Sequence, residues 1–246
     1  MKVALVTGAS KGLGLEWSRH LAKEGYQVIL TARNLEKAQD ATNKLKDEGY
    51  SFIYPQKLDT TNTSQILELK DWLSKTFGKM DLLINNAGIN SGTRAKGDKT
   101  LQQKNLLLEN LDTDEVLNML NVNAIAPIIV ARGFRDLLSK GIDPKIINIG
   151  SWLGSISLKN NGGNYSYAVS KSALNMMNRA LAFDLIESGI ISVVVNPGWV
   201  QTNMGGERAQ FTTEEAVSNI YKNVVQDITI DNTGSFFNYN GFLHPW

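Results

Sequence analysis

Tyr167 and Lys171 stand four residues apart at the start of a helical pattern. Side chains at positions i and i+4 lie on the same face of a helix. A free phenol has a pKa of about 10, which hinders proton exchange near neutral pH. A neighbouring ammonium favours the phenolate, so we expect Lys171 to lower the pKa of Tyr167. Such a pair can donate a proton to a carbonyl oxygen that gains negative charge during reduction.

Two serines are candidates to orient that oxygen. Ser151 follows the apolar run that ends at Ile149, with only Gly150 between them, and Ser155 comes four residues later. A hydroxyl can donate a hydrogen bond without changing its charge. We prefer Ser151 because the carboxyl end of a buried strand is where α/β sheets bind ligands. Tyr165 is a weaker rival to Tyr167, since a valine stands four residues after it.

A glycine-rich turn follows the first predicted strand. Its glycines have the spacing Gly-x-x-x-Gly-x-Gly, and a helical stripe formed by Leu13, Trp17 and Leu21 comes next. Glycines let the backbone approach a pyrophosphate, and the N-terminus of the helix supplies N–H donors. A tight turn without a ligand is the alternative. The residues predicted to contact a nucleotide here are Gly8, Ser10, Lys11, Gly12, Leu13 and Gly14.

The end of the second predicted strand indicates which nucleotide binds. NAD-binding sites usually place an acidic residue here, whereas a nearby arginine suits a 2′-phosphate. This sequence has Ala32 followed by Arg33 and Asn34, and Lys11 is a second cation in the glycine turn. We therefore expect NADP(H) rather than NAD(H). The alternative is that Arg33 is an ordinary solvated charge.

Short apolar runs alternate with helical patterns along the whole chain. The alternation predicts an α/β fold, a doubly wound Rossmann fold with about seven parallel strands and helices on both faces. Because no linker divides residues 1–246, we expect a single domain. The irregular stretch Asn90–Asn110 is predicted to be a surface insertion or a lid. The predicted strands are Val3–Val6, Gln27–Leu30, Ser51–Leu58, Asp81–Ile84, Lys145–Ile149, Ile190–Val195 and Ser235–Asn238.

The composition of the sequence limits the partners and the kinds of chemistry to be expected. The sequence has 25 basic and 24 acidic residues, whereas a nucleic-acid partner would require a clustered basic excess. No apolar run reaches the ~18–20 residues of a membrane span, so we expect no membrane partner and a cytoplasmic location. Cysteine is absent and His20 and His244 are the only histidines. We therefore expect no metal site, no thiol chemistry and no Ser-His-Asp triad.

Taken together, these motifs resemble the short-chain dehydrogenase/reductase family. The run Asn85–Gly88, Asn123, Ser151, the Tyr167/Lys171 pair and Pro197-Gly198 occur in the order of that family. Four stretches are similar to the sniffer-type carbonyl reductases and C-factor-like proteins within it. These are Ser151–Ile156, Gly162–Tyr167, Pro197–Gly206 and Gly234–Trp246.

The resemblance implies roles for further residues. Lys171 would bind the nicotinamide ribose, and Asn123, chosen over Asn121, would hold a water that relays protons to Lys171. Tyr167 would also contact the cofactor. The remaining cofactor contacts implied are Asp59 and Thr60 near the adenine, Asn86, Ala87 and Gly88 beneath the adenine ribose, and Pro197, Gly198, Val200 and Thr202 at the nicotinamide carboxamide.

The expected activity is NADPH-dependent reduction of a ketone, aldehyde or quinone to an alcohol, with Tyr167 as the proton donor. The alternatives are an alcohol or hydroxysteroid-type dehydrogenase that works oxidatively, and a dinucleotide-binding regulator without turnover. Trp152, Trp199 and Met204 flank the candidate residues and are predicted either to line an apolar substrate pocket or to pack in the core. The resemblance also implies a homodimer or homotetramer.

Overall fold

The computed structural model describes residues 1–91 and 106–246, and within them seven strands form one parallel sheet. The strands are β1 (Val3–Val6), β2 (Gln27–Ala32), β3 (Ile53–Lys57), β4 (Leu82–Asn85), β5 (Lys145–Ile149), β6 (Ile191–Asn196) and β7 (Phe236–Asn238). Their order across the sheet is β3-β2-β1-β4-β5-β6-β7. The prediction of a doubly wound Rossmann fold is confirmed.

Helices cover both faces of this sheet. They are α1 (Gly12–Lys23), α2 (Leu35–Asp47), α3 (Thr63–Thr76), α4 (Thr113–Leu120), α5 (Ala126–Leu138), α6 (Tyr165–Leu185) and α7 (Thr213–Ile220). One core layer contains apolar residues of α1, α2 and α7, including Trp17 and Leu45. The other contains residues of α3, α5 and α6, including Leu69, Phe134 and Leu181.

The strands form where apolar residues are buried on both faces, as expected for a parallel sheet between two helix layers. Every residue of β1, β5 and β6 is buried. The bounds predicted for β1 and β5 agree with the structure. β2 extends two residues beyond the prediction, to Ala32, because Thr31 and Ala32 pair with Gln56 and Lys57 of β3.

A π turn, Asn121–Ile125, joins α4 to α5. Pro127 lies in the first turn of α5 and has no N–H to donate to the carbonyl of Asn123, four residues earlier. The chain accommodates this with the wider turn, in which the N–H of Ala126 donates to the carbonyl of Asn121. The π turn leaves Asn123 buried beneath the carboxyl edge of the sheet, while Asn121 is exposed.

One helical run among the described residues is long and apolar enough for a membrane span. It is Thr113–Leu138, with 26 residues and a mean hydropathy of 1.3 in its most apolar window. This run consists of α4, the π turn and α5, and Val130 and Phe134 on it are fully buried in the core. Of its most apolar window, 39% is buried, and length and composition alone are weak evidence for a membrane span.

The predicted insertion Asn90–Asn110 falls mostly outside the described residues. Among the described residues of this stretch, a short 3₁₀ turn spans Leu108–Asn110. The carbonyl of Leu106 accepts a hydrogen bond of 2.9 Å from the N–H of Asn164, just before α6. The C-terminal end of this stretch therefore lies beside the start of the helix that carries Tyr167.

Replacing Phe134 by alanine should lower the free energy of unfolding by about 3–5 kcal/mol, because this side chain of α5 is fully buried in the core layer that it shares with residues of α3 and α6. Urea-induced unfolding followed by circular dichroism measures this change. Leu117→Ala is the control, since Leu117 is 58% exposed and its loss should cost less than about 0.5 kcal/mol. Equal effects of the two substitutions would contradict the described packing of α5.

Candidate active site

The candidate residues meet at the carboxyl edge of the sheet, where the turns after four neighbouring strands come together. The glycine turn follows β1, the run Asn86–Gly88 follows β4, Ser151 follows β5 and Pro197-Gly198 follows β6. Thr202 contributes from beyond β6: a Cβ placed on Gly12 would lie 3.5 Å from its methyl group. Parallel pairing thus brings together segments that are far apart in the sequence.

The glycine turn has a backbone path that larger residues could not follow. Gly8 and Gly12 have φ angles of +64° and +58°. A Cβ on Gly14 would lie 2.5 Å from the amide nitrogen of Asn86 and 2.6 Å from the carbonyl of Gly8. Within the described residues, no side chain caps α1 at Lys11 and its first turn contains no acidic residue. The turn therefore fits a pyrophosphate, whose oxygens would accept hydrogen bonds from the N–H groups at the start of α1.

Hydrogen bonds join this turn to the one after β4. The hydroxyl of Thr7 accepts from the N–H groups of Asn86 and Ala87, both at 3.0 Å. The side-chain amide of Asn86 donates to the carbonyls of Thr7 and Gly8, at 2.9 and 3.1 Å. Sequence reasoning assigned no role to Thr7, although a hydroxyl at the end of the first strand was a usable signal. The side chain of Asn86 supports the glycine turn, and its predicted contact with the adenosine ribose stays a prediction.

The residues predicted at the adenosine end divide into two groups. Lys11 and Arg33 are exposed beside the edge of the sheet. The side chains of Asn34 and Asp59 are engaged locally: Asn34 accepts from the N–H of Lys37 at the start of α2, and Asp59 accepts from Thr61. Thr60 is buried. Lys11 and Arg33 are thus the two exposed cations among these residues, and they could receive a 2′-phosphate.

Ser151 and Tyr167 are in contact through their hydroxyl groups. Ser151 is buried at the start of a 3₁₀ turn, Trp152–Gly154, and its hydroxyl accepts from the N–H of Leu153 at 3.2 Å. Burial raises the pKa of Tyr167 to about 12, and the hydrogen bond with Ser151 acts in the opposite direction. The phenol is therefore protonated at neutral pH and is bonded to the serine chosen from the sequence.

Lys171 lies one helical turn after Tyr167 and is buried, whereas Tyr167 is half-buried. Its ammonium donates to the carbonyl of Ile149 at 2.8 Å and lies 5.7 Å from the centre of the Tyr167 ring. Burial lowers the pKa of Lys171 to about 8. The expectation that the ammonium lowers the pKa of Tyr167 is not met in the protein alone. The ammonium is directed at a backbone carbonyl, and burial of the phenol is the larger effect.

The two weaker rivals, Ser155 and Tyr165, make contacts away from the candidate site. Ser155 donates its hydroxyl to the carbonyl of Trp246 at 3.1 Å and accepts from the N–H of Leu158 at 3.3 Å. Tyr165 lines an apolar groove of about 490 Å³ together with Ile156 and Val169. On α6, Tyr165 and Val169 lie on the side opposite Tyr167, and Ser155 lines the same groove. Neither rival therefore faces the candidate site.

Asn123 is buried near Lys171, but its side chain already has partners. Its amide oxygen accepts from the N–H of Ile89 at 2.8 Å, and its amide nitrogen donates to the carbonyl of Ile89 at 2.8 Å and to the hydroxyl of Ser170 at 3.0 Å. A Cβ placed on Gly88 would lie 3.3 Å from the oxygen of Asn123 and 3.9 Å from the ammonium of Lys171. Asn123 thus fixes the turn after β4 against α6, and the predicted water relay stays a prediction.

The three predicted substrate residues are exposed rather than packed in the core. Trp152, Trp199 and Met204 are 46%, 53% and 42% exposed. Trp152 follows Ser151 directly, and the indole of Trp199 donates to the carbonyl of Gly205 at 2.8 Å. The alternative of core packing is therefore wrong for all three. They form an apolar rim on the turns that follow β5 and β6.

A chain of buried side-chain amides, which was not predicted from the sequence, lies beneath the site. Asn85 on β4 donates to Asn148 on β5 at 2.8 Å, and Asn148 donates to Asn178 on α6 at 2.9 Å. The hydroxyl of Ser192 on β6 donates to Asn178 at 2.7 Å. Polar residues inside otherwise apolar strands were the available signal. The chain fixes α6 against the strands that precede Asn86 and Ser151.

Comparison with known proteins identifies the family. A family model described as short chain dehydrogenase matches residues 2–213, which is most of the chain. The protein therefore belongs to the short chain dehydrogenase family, a family of oxidoreductases, and the resemblance drawn from the motifs is confirmed.

Similar proteins agree with the more detailed resemblance. The chain is 32% identical over 169 residues to the C-signal protein of Myxococcus xanthus, and the match covers 69% of this chain and 94% of that one. The structure of NADPH-bound carbonyl reductase from chicken fatty liver superimposes with a TM-score of 0.84 at 29% identity, covering 100% of both chains. Carbonyl reductase Sniffer of D. melanogaster also gives 0.84, at 27% identity, covering 100% of this chain and 99% of that one.

Gly14→Ala should weaken binding of NADPH on the order of tenfold or more, because the new methyl group would displace Asn86 and the carbonyl of Gly8. Titration of NADPH fluorescence measures the dissociation constant. Gly25→Ala is the matched control: Gly25 also has a positive φ, +80°, but a Cβ there meets nothing within 4 Å and lies far from the edge. The control should lose stability and keep its affinity. An unchanged dissociation constant in Gly14→Ala would show that the glycine turn does not hold the nucleotide.

Proposed function

We propose that this protein is an NADP(H)-dependent carbonyl reductase, which reduces a ketone, aldehyde or quinone to an alcohol. The observation that carries the proposal is the cluster of Ser151, Tyr167 and Lys171: the Ser151 hydroxyl acts on the phenol of Tyr167, and the buried ammonium of Lys171 lies 5.7 Å from the centre of the phenol ring. Hydride addition to a carbonyl places negative charge on its oxygen, which must be stabilised and protonated. Two O–H donors converging at one point supply both functions.

In the proposed reaction Ser151 donates a hydrogen bond to the substrate oxygen and orients it. Tyr167 donates its proton to the same oxygen as negative charge develops there. Because burial keeps the pKa of Tyr167 at about 12, the phenol holds its proton at neutral pH and is ready to donate it. Reduced nicotinamide, when bound, supplies the hydride that adds to the carbonyl carbon.

The proton given by Tyr167 must be replaced before another turnover. Burial lowers the pKa of Lys171 to about 8, so its ammonium is the more acidic of the two groups. Lys171 can return a proton towards the phenolate and would also donate to the nicotinamide ribose. Asn123 holds the turn at Ile89 and the hydroxyl of Ser170 in place around this lysine. A water near Asn123 would connect Lys171 with solvent.

The choice of NADP(H) is supported by charge at the adenosine end. Lys11 and Arg33 are exposed there, and Ala32 occupies the position where an acidic residue would favour NAD. The similar chicken carbonyl reductase is described as bound to NADPH. The proposed cofactor contacts are Gly8, Ser10, Lys11, Gly12, Leu13, Gly14, Arg33, Asn34, Asp59, Thr60, Asn86, Ala87, Gly88, Tyr167, Lys171, Pro197, Gly198, Val200 and Thr202.

The exposed rim formed by Trp152, Trp199 and Met204 supports an apolar or aromatic carbonyl substrate. The two exposed indole rings on the turns after β5 and β6 offer apolar contact area, and neither carries a charge to bind a sugar phosphate or a carboxylate. We also propose that the chain forms a homodimer or homotetramer. Val169, Met176 and Phe183 form an exposed apolar stripe along α6, which supports an interface.

Two alternatives differ in what the same site does. An alcohol or hydroxysteroid-type dehydrogenase would use the same residues in the oxidative direction. A dinucleotide-binding regulator would bind the cofactor without turnover. The contact of Ser151 with Tyr167 and the burial of Lys171 favour an enzyme, because binding a nucleotide alone does not require two hydroxyls directed at one point.

Tyr167→Phe should lower kcat for reduction of a small diketone by about 10²–10⁴-fold, because it removes the proton donor and leaves the ring. The rate of NADPH oxidation at 340 nm measures this loss. Tyr165→Phe is the matched control and should retain wild-type activity, since Tyr165 faces the apolar groove on the other side of α6. Equal rates for Tyr167→Phe and wild type would exclude the mechanism.

Arg33→Ala should weaken NADPH binding about tenfold and leave NADH binding unchanged, because only NADPH carries the 2′-phosphate. Fluorescence titration of the wild type and the variant with both nucleotides measures the four dissociation constants. NADH is the internal control for the integrity of the fold. A wild type that binds NADH more tightly than NADPH would contradict the cofactor assignment.

A further inference from the structure

Asn196, the last residue of β6, joins three segments around the candidate site. It is buried, with 5% of its surface exposed. Its amide oxygen accepts from the N–H of Trp152 at 3.1 Å and from the N–H of Gly198 at 3.3 Å. Its amide nitrogen donates to the side-chain oxygen of Asn238 on β7 at 2.8 Å. One side chain therefore connects the turn after β5, the turn after β6 and the edge strand.

The bond to Trp152 acts on the backbone next to Ser151. Ser151 itself is extended, with φ −165° and ψ 148°, and its hydroxyl must reach the phenol of Tyr167. The position of that hydroxyl depends on where the peptide between residues 151 and 152 is held. Sites of this kind require reacting groups to be placed within about 0.5 Å, so a fixed neighbouring amide matters for the rate.

The rest of the same turn is held from other directions. Gly154 accepts hydrogen bonds at its carbonyl from Ser172 and Asn175 of α6, at 2.9 and 3.2 Å. Ser155 and the N–H of Ser157 donate to the carbonyl of Trp246, which follows β7. The end of the turn nearest Ser151 is held by Asn196. Asn196 is thus the side chain that controls the part of the turn closest to the reacting oxygen.

We propose that Asn196, held by Asn238, is a positioning residue that fixes the Ser151 hydroxyl relative to the Pro197-Gly198 turn. It does not touch the reacting atoms, because both ends of its amide are engaged with Trp152, Gly198 and Asn238. It acts through the backbone on the two turns between which substrate and nicotinamide would lie. The proposal rests on the proposed carbonyl reductase function and adds a residue to its machinery.

Two substitutions at position 196 separate the acceptor from the donor. Asn196→Ala leaves the N–H groups of Trp152 and Gly198 without their partner and should lower kcat about 10–100-fold, with a smaller change in the KM for NADPH. Asn196→Asp keeps an oxygen for both N–H groups, and the amide of Asn238 can rotate to donate to the carboxylate. The aspartate variant should therefore retain most of the activity.

The pH profile supplies a readout that loss of stability alone would not change. Alcohol oxidation requires ionised Tyr167, and the hydrogen bond from Ser151 opposes the rise in the pKa of that phenol. If Ser151 is displaced, the phenol ionises at higher pH. The profile of alcohol oxidation with NADP⁺ should shift to higher pH in Asn196→Ala and stay near wild type in Asn196→Asp.

Hydrogen exchange tests the geometry without activity. In the protein without nucleotide, the amides of Trp152 and Gly198 should exchange on the order of tenfold faster in Asn196→Ala than in wild type, because their acceptor is gone. Asn238→Ala should also lower kcat and shift the pH profile, but by less than Asn196→Ala, because it removes only the partner that holds Asn196. This variant tests the proposal if Asn196→Ala does not fold. Thr233→Val is the matched control: it removes the 3.0 Å hydrogen bond from the N–H of Ser192, near the start of β6, and should leave kcat and the pH profile unchanged.

The outcomes distinguish this proposal from the proposed function. If wild type reduces no carbonyl compound, or if Tyr167→Phe is fully active, the proposed function fails. If wild type is active and Tyr167→Phe is not, but Asn196→Ala keeps the wild-type kcat and pH profile, the positioning role fails alone. It also fails if Thr233→Val loses as much activity as Asn196→Ala.

Discussion

The interaction of the Ser151 hydroxyl with the phenol of Tyr167, which opposes the rise in its pKa, is the one on which the candidate site depends. It joins a turn after β5 to the first turn of α6, and it opposes the effect of burial on the phenol. Burial disfavours the charged form of every group, so it raises the pKa of Tyr167 and lowers that of Lys171. The phenol of Tyr167 therefore keeps its proton more strongly than in water, and the ammonium of Lys171 releases its proton more easily.

Side chains that bond to the backbone of a neighbouring turn give this edge of the sheet its rigidity. Thr7 and Asn86 join the turns after β1 and β4 on the nucleotide side. Asn196 joins the turns after β5 and β6 on the substrate side. Loops at a sheet edge have few buried apolar contacts of their own, so these hydrogen bonds substitute for packing. The arrangement places backbone groups accurately while leaving the rim residues Trp152 and Trp199 exposed.

The sequence allowed the strands and the main candidate residues to be predicted because each carries a local signal. β1 and β5 are short, apolar and buried on both faces, and their predicted bounds agree with the structure. Ser151 was preferred over Ser155 from its place at the strand end, and its contact with Tyr167 agrees with that choice.

The partners of Asn196 could not be predicted, since Trp152 lies 44 residues away and the contact exists only once β5 and β6 pair. The pKa of Tyr167 was expected to fall because the charge of Lys171 was expected to outweigh burial. In the structure the ammonium donates to the carbonyl of Ile149, and burial of the phenol is the larger effect.

The order of the two pKa values has a consequence for proton transfer. With Tyr167 at about 12 and Lys171 at about 8, the phenolate left after proton donation is the stronger base. A proton passing from Lys171 to Tyr167 therefore moves downhill, and the phenol is restored without a separate strong acid. The opposite reaction must begin from an ionised phenol, which burial disfavours at neutral pH. Under the proposed function, the protein's own groups are therefore best prepared to protonate a carbonyl oxygen, and oxidation of an alcohol would require a further positive charge near Tyr167 to stabilise its ionised form.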